Sequence, residues 1–300
     1  LHATAESPAS RVPVLLRLGE LQLSARRYSE SSESFAAALA AAERTGQERD
    51  ESRVIARMAR AALLQGQPQR AVEQISAKLE QVVSWSELFD SARVLSVLGE
   101  AYLELGMPGK AVVALLRHRS LLRHHNDDRV RLLALLSIAH RQAGQHADAV
   151  ACLRECDGLT SKLGPATLPT LVTLSCAFVE CGEAQASMFT AQLALDQARN
   201  RETADGESWA LWALARAQLK LGQTQRATVG LSQAIEKLST PKDKRIESLV
   251  HDALAEALDK LGQTAAAAAS RSIRNQYLQR IGRSPAPAST GSAASAFPRE

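Results

Sequence analysis

Three sets of side chains have the types and spacing to do chemistry. Cys152 and Cys156 stand four apart, about one helical turn, with His140 and His146 nearby. Thiolates and imidazoles are zinc ligands, but zinc needs four that converge. The run Ala114–Arg131 concentrates Arg117, His118, Arg119, Arg123, His124 and His125, a basic cluster of the kind that meets phosphate. Arg53, Arg93 and Arg131 recur at spacings of 40 and 38, accompanied along the chain by Arg60, Trp209, Trp212 and Arg216. Guanidinium forks suit carboxylates and phosphates, and indoles anchor interfaces. No HExxH, GxSxG or CxxC occurs, and no phosphate-cradling glycine loop follows a strand pattern. No catalytic constellation and no cofactor are therefore expected.

The first two sets have plainer explanations. Cys156 falls where Ala38, Ala194 and Ala234 fall elsewhere, and cysteine packs as a small hydrophobe, so no metal is expected. The basic run lacks interleaved aromatics for stacking bases, and Asp127 and Asp128 dilute its charge. It reads as a solvated helix face whose cations favour a helix C-terminus. A net charge of +4, from 36 basic against 32 acidic residues, gives no independent reason to expect nucleic acid. Nothing approaches 18 unbroken apolar residues, so no membrane span is expected. Four cysteines in 300 residues are too sparse for a disulfide scaffold and suggest a reducing, cytoplasmic setting. The first residue, Leu1, suggests a processed form or a piece of a longer product.

The elements that must position the third set are helices. Aromatic residues make up only 4% of a chain rich in alanine and leucine, which favours packed helices over strands. Glycines recur at 66, 106, 144, 182, 222 and 262. Eight residues before each stands a large apolar residue: Met58, Leu98, Leu136, Leu174, Leu214 and Leu254. Seven before stands a small one: Ala59, Gly99, Ser137, Ser175, Ala215 and Ala255. Five after stands another: Ala71, Ala111, Ala149, Ser187, Ala227 and Ala267. The register extends upstream through Leu18, Gly19 and Ser31, with Arg26 at the glycine position. The pattern is helix–turn–helix: glycine stops the first helix, small residues let the second approach, and large ones fill the space between. One hairpin cannot bury that face alone, so neighbours stack into a solenoid.

The segments LLRLGELQLSARRYSESSESFAAAL (15–39), LSVLGEAYLELGMPGKAVVAL (95–115) and LWALARAQLKLGQTQRATVGL (211–231) resemble the tetratricopeptide repeat (TPR). The resemblance covers about nine tenths of the chain. A period of 38–40 and the missing terminal proline distinguish it from the usual repeat. Longer helices of this kind resemble the kinesin light chain, Leu-Gly-Asn-type polarity scaffolds and peptide-sensing bacterial regulators. The fold expected is an all-α, right-handed α-solenoid of about seven units, near 12–51, 52–91, 92–129, 130–167, 168–207, 208–247 and 248–281. A loose segment at 1–10 precedes it, with Ser10 as a helix cap, and a disordered tail at 282–300 follows. Arg271 and Arg274 in the last unit suit a face without a following neighbour.

The resemblance implies that the first helix of each unit lines a concave groove, at residues thirteen, ten and six before the turn glycine. Arg53, Arg93 and Arg131 then form a ladder, Arg60 joins it, and Trp209, Trp212 and Arg216 form an aromatic-basic patch. Asp252, Glu256 and Asp259 make the last unit acidic. The Lys and Asn set with which chaperone-binding members clamp a terminal carboxylate is absent at these positions. The function expected is a non-enzymatic interaction scaffold that holds a partly acidic peptide or partner helix in the groove. The alternative is a regulatory or sensor module of a larger signalling or transcription regulator.

Overall fold

The structure is a computed structural model that describes residues 8–25, 27–46, 48–78, 89–121, 126–160, 166–238 and 243–283, with the backbone only for 8–10, 89–92, 126 and 160. Fourteen helices, among the described residues, pack as successive antiparallel pairs. The first pairs are α1 (Pro8–Ser24) with α2 (Tyr28–Thr45), α3 (Glu48–Leu64) with α4 (Pro68–Ser76), and α5 (Phe89–Glu104) with α6 (Pro108–Leu121). Next come α7 (Asn126–Gln142) with α8 (His146–Thr160), and α9 (Leu168–Cys181) with α10 (Ala184–Asn200). The last are α11 (Ala204–Lys220) with α12 (Thr224–Lys237), and α13 (Lys244–Lys260) with α14 (Thr264–Arg280). Each pair also contacts the next, which makes the array an all-α solenoid. Among the described residues, no helix is long and apolar enough to cross a membrane.

The turns explain the glycine period. Gly66, Gly106, Gly144, Gly182, Gly222 and Gly262 all have φ between 66° and 90°, the left-handed region that ends a helix. The residue after each donates its N–H to a carbonyl five positions back, as Gln67 does to Ala62 at 2.9 Å and Met107 to Tyr102 at 2.8 Å. Arg27 makes the same bond to Gln22 at 2.8 Å, so the first unit turns alike, although Arg26 lies outside the described residues. Pro68 and Pro108 then open second helices, where a missing N–H costs no hydrogen bond.

Within a pair, the small positions are the points of closest approach. Ala59, Ala71, Ala111, Ala149, Ser175 and Ser187 have no exposed surface. Where serine occupies them, its hydroxyl is satisfied across the interface. Ser31 donates to the Gly19 carbonyl at 2.9 Å, Ser137 to that of Ala149 at 2.9 Å, and Ser187 to that of Ser175 at 2.9 Å. Gly99 faces Leu115 so closely that an added Cβ would lie 2.5 Å from Leu115 Cδ2. Gly19 stands in the same relation to Phe35.

The large residue eight before the glycine does not fill this hairpin interface. Leu98 instead joins Ile55, Ala59, Ala62 and Val94 in a cluster shared with the preceding pair. Its place one residue before Gly99 turns it about 100° around the helix, toward the neighbouring unit. Leu18, with no described unit before its own, is 44% exposed. At the start of the chain, α1 begins at Pro8, so Ser10 lies inside its first turn and does not cap it. At the end, Arg274 pairs with Asp252 at 2.8 Å and Arg271 with Asp259, both within the last hairpin. Of the tail expected at 282–300, all but residues 282–283 lies outside the described residues.

This packing sets an order of mutational costs. Leu98→Ala should destabilise by about 2–5 kcal/mol as a buried large-to-small change. Gly99→Leu should cost more, because even a Cβ at position 99 meets the fully buried Leu115 side chain. Urea unfolding of both variants checks the ranking, and a neutral Gly99→Leu would contradict it.

Candidate functional site

Six first helices, α3, α5, α7, α9, α11 and α13, contribute side chains to one cavity of about 240 Å³. Positions thirteen before the turn supply Arg131, Pro169, Trp209 and Leu249, and positions ten before supply Val172 and Trp212. Positions six before supply Arg60, Glu100, Ile138 and Cys176. The array thus curves until its second and seventh units reach the same space. A neighbouring, more polar cavity of about 250 Å³ is lined by Arg57, Arg60, Arg93, Ser96, His118 and Arg131, among others.

Glu100 ties the two cavities together. Its buried carboxylate accepts from Arg60 Nη1 at 2.6 Å and from Arg131 Nη2 at 2.8 Å, one oxygen for each arginine. Burial alone would raise the Glu100 carboxyl, but Arg131, then Arg60 and Arg245, outweigh it and hold it down to about 2. Glu100 supports the charge of Arg60, yet burial and the charges of Arg131 and Arg245 together pull that guanidinium below its ordinary value. His118, also buried, is pushed down to about 4 by burial and by Arg131.

The aromatic wall is built by α11. Trp209 and Trp212 meet edge to face, with centroids 5.6 Å apart at 86°. Each carries a guanidinium over its ring: Arg245 over Trp209 at 5.4 Å, and Arg216 over Trp212 at 5.3 Å. Arg216 is itself buried and donates to Glu180 at 2.8 Å.

The last unit also reaches across to the early turns. The Tyr277 hydroxyl donates to Glu104 Oε1, Arg245 Nε lies 2.9 Å from Glu104 Oε2, and Arg283 Nη1 donates to the Glu104 carbonyl at 2.8 Å. The Tyr277 ring covers Gly66, where an added Cβ would lie 2.8 Å from its edge. Burial raises the Glu104 carboxyl, against the pull of Arg245 and the Tyr277 hydrogen bond. These contacts clasp the last unit to the second and third.

Of the residues singled out in the sequence, Arg60, Arg131, Trp209 and Trp212 line the first cavity, and Arg93 lines the second. Arg53 is exposed and lines neither, while Arg216 is drawn away to Glu180. The ladder is therefore not a row of bare cations: Arg60 and Arg131 share one carboxylate. The acidic end is likewise offset, since Asp252 pairs with Arg274, Asp259 with Arg271, and Glu256 with Lys260. Sequence reasoning missed Glu104, Glu180, Arg245 and Tyr277. Glu104 and Glu180 stand two before their glycines, one helical turn beyond Glu100 and Cys176, so the groove face has a fourth register. Leu64 occupies the same register and lines the cavity. Arg245 shares its register only with Arg49 among the glycine-marked units, and Tyr277 has no tyrosine at its register elsewhere.

The other candidate chemistry is absorbed by packing. Cys156 is fully buried and donates to the Val130 carbonyl at 3.6 Å, and burial pushes its thiol up to about 12. Among the described residues, no three of His, Cys, Asp and Glu gather in a way that could hold a metal ion. In the basic run, Arg119 and Arg129 both pair with Glu155, while Arg123, His124 and His125 lie outside the described residues.

A scan against protein-family models finds no match, and a search of curated proteins finds none of significance. Solved structures do match. A Rap protein complexed with Competence and Sporulation Factor superposes with a TM-score of 0.66 at 10% identity, over 91% of this chain and 76% of that one. The Rap conjugation gene regulator of plasmid pLS20, in complex with the Phr* peptide, also gives 0.66, at 13% identity over 94% and 78%. A tetratricopeptide repeat protein from Parabacteroides merdae gives 0.52 at 11% identity, over 91% and 98%. The chain has the fold of tetratricopeptide-repeat solenoids.

Two outcomes follow from the charged core and the clasp. Glu100 is lowered from 4.5 to about 2, so its contribution to stability is present above pH 4.5 and lost as pH falls toward 2. His118, lowered from 6.5 to about 4, acts in the same direction, because the unfolded chain takes up its proton first. Glu104, raised by burial, acts oppositely. Denaturant unfolding across this range should lose stability on acidification. Glu100→Gln should be less stable at pH 7 and flatter below pH 4.5, and an unchanged acid slope would contradict the assignment. Separately, Tyr277→Ala should enlarge the radius of gyration in X-ray scattering without loss of helicity. An unaltered scattering curve would mean that Tyr277 does not hold these units together.

Proposed function

We propose that the chain is a non-enzymatic interaction module that holds a partly acidic peptide or partner helix along the concave face of its first helices. The observation that carries this reading is the convergence of Arg60, Arg131, Trp209 and Trp212 on one cavity, with Arg93 on the next. Arginines offer planar forks to carboxylates, and an edge-to-face indole pair offers a rigid apolar surface. Support also comes from the two Rap structures, whose ligands are Competence and Sporulation Factor and the Phr* peptide. The four free cysteines, three of them buried, suit an intracellular, reducing setting.

A second reading is favoured by the clasp. An array closed through a few side chains can open where they part, and a ligand that prefers the open or the closed arrangement shifts the balance between them. That is the behaviour of a sensor module within a larger regulator, and the conjugation gene regulator among the matching folds suits it.

Capture from source lysate with the wild-type chain, followed by mass spectrometry, identifies the partner. Arg93→Glu should then weaken the purified partner more than Arg154→Glu on the exposed face of α8, with unchanged circular dichroism. Binding should fall as salt rises, since exposed charge pairs are screened. Partner binding that is indifferent to both Arg93→Glu and Trp209→Ala would move the site off the concave face.

A further inference from the structure

The first cavity has two unlike walls. One is apolar, with Trp212, Val172 and Leu249, the other carries Arg60, Arg131 and Arg245 with the single carboxylate of Glu100, and Trp209 joins the two beneath the Arg245 guanidinium. Its volume of about 240 Å³ exceeds the ~150 Å³ of an apolar cavity that takes up benzene. One ring or branched chain with a short polar extension fits, whereas several residues of extended peptide do not. The polar cavity next to it has no comparable apolar wall.

The cationic wall has unused capacity. Both oxygens of Glu100 are taken by Arg60 and Arg131, yet the Nε–H of Arg131 is buried without an acceptor. Arg245 Nε lies 2.9 Å from Glu104 Oε2, but neither atom makes a hydrogen bond in that alignment. The carboxylates that act on Arg245 from outside the lining are Glu104 and Asp243, and burial raises Glu104, which weakens its hold. Arg131 and Arg245 both lie close enough to lower Arg60, a repulsion that an added anion relieves. A full phosphate dianion would place two charges beside Glu100, whereas a carboxylate adds one.

We propose that this cavity binds an apolar group bearing a carboxylate, with the ring or branched chain against Trp209 and Trp212 and the carboxylate toward Arg131 and Arg245. A free amphipathic acid and the last residue of a peptide share this chemistry. The site goes beyond the groove reading, because an extended partner can lie along the first helices without entering the cavity.

Isothermal titration of the full chain tests it with 3-phenylpropionate, its neutral amide, and a Phe-terminated tripeptide with a free or an amidated end. The carboxylate form should bind about tenfold more tightly than the matching amide, the advantage of a charge-assisted hydrogen bond. The free acid and the tripeptide tell the two sources apart, and binding of either supports the site. Arg131→Gln should abolish the preference, Arg245→Gln should reduce it, and Trp209→Leu should weaken acid and amide alike. Because Arg131→Gln strips Glu100 of a partner, the wild type gives an independent readout: the Trp209 and Trp212 indole N–H resonances should move during the titration. Equal binding of acid and amide, no binding at millimolar concentration, or stationary indole resonances would overturn the proposal. If a captured protein partner depends on Arg93 while no acid binds, only the cavity assignment fails and the groove reading stands.

Discussion

Two antiparallel helices can lie side by side at this spacing only where both backbones carry very small side chains, and the rest of the molecule depends on that restriction. A Cβ at Gly99 would run into Leu115, and Ser175 and Ser187 are hydrogen-bonded to each other with no exposed surface, so the rotation of each helix about its axis is fixed. Once rotation is fixed, the residues thirteen, ten, six and two before each turn must share one face. The groove is a by-product of the hairpin interface, and its composition can vary without disturbing the fold.

That freedom has been used to bury charge. Glu100, Arg60, Arg131, Arg245, Glu104, Glu180 and Arg216 lie at or near the inner face, while the apolar clusters sit between helices. Buried ion pairs give little net stability over apolar side chains of the same shape, although breaking one is expensive. Fold stability is therefore a weak reason for this network. Its arrangement makes more sense as a surface that is polar and preorganised, with orphaned donors beside an aromatic wall.

The repeat was legible because it rests on local rules that recur. A left-handed glycine, two small residues and a large one on the second helix repeat in step, and chance does not imitate that. The groove-facing registers came from the resemblance to the tetratricopeptide repeat, not from the spacing itself. What stayed hidden was pairing between units: nothing in the spacing of Arg60, Glu100 and Arg131 says that one carboxylate serves both arginines. The size of Leu98 was legible, but its partner was not, because one residue of helical phase separates the hairpin interface from the unit-to-unit interface. The clasp was least accessible, since Tyr277 and Glu104 meet only because of the summed curvature of the intervening units.

The sequence separation of 173 between Glu104 and Tyr277 also governs how the molecule is assembled in time. Every other major interface joins helices adjacent or next but one along the chain, so stacking can nucleate at any hairpin and spread as a one-dimensional process. The clasp is the exception. Its partners are held at the right separation only after all the units between them have stacked, so it forms last and opens first. Folding rate and final closure are therefore controlled by different residues: the early steps by the small-residue hairpins, and the last by a tyrosine and two arginines of the last unit with one glutamate of the third.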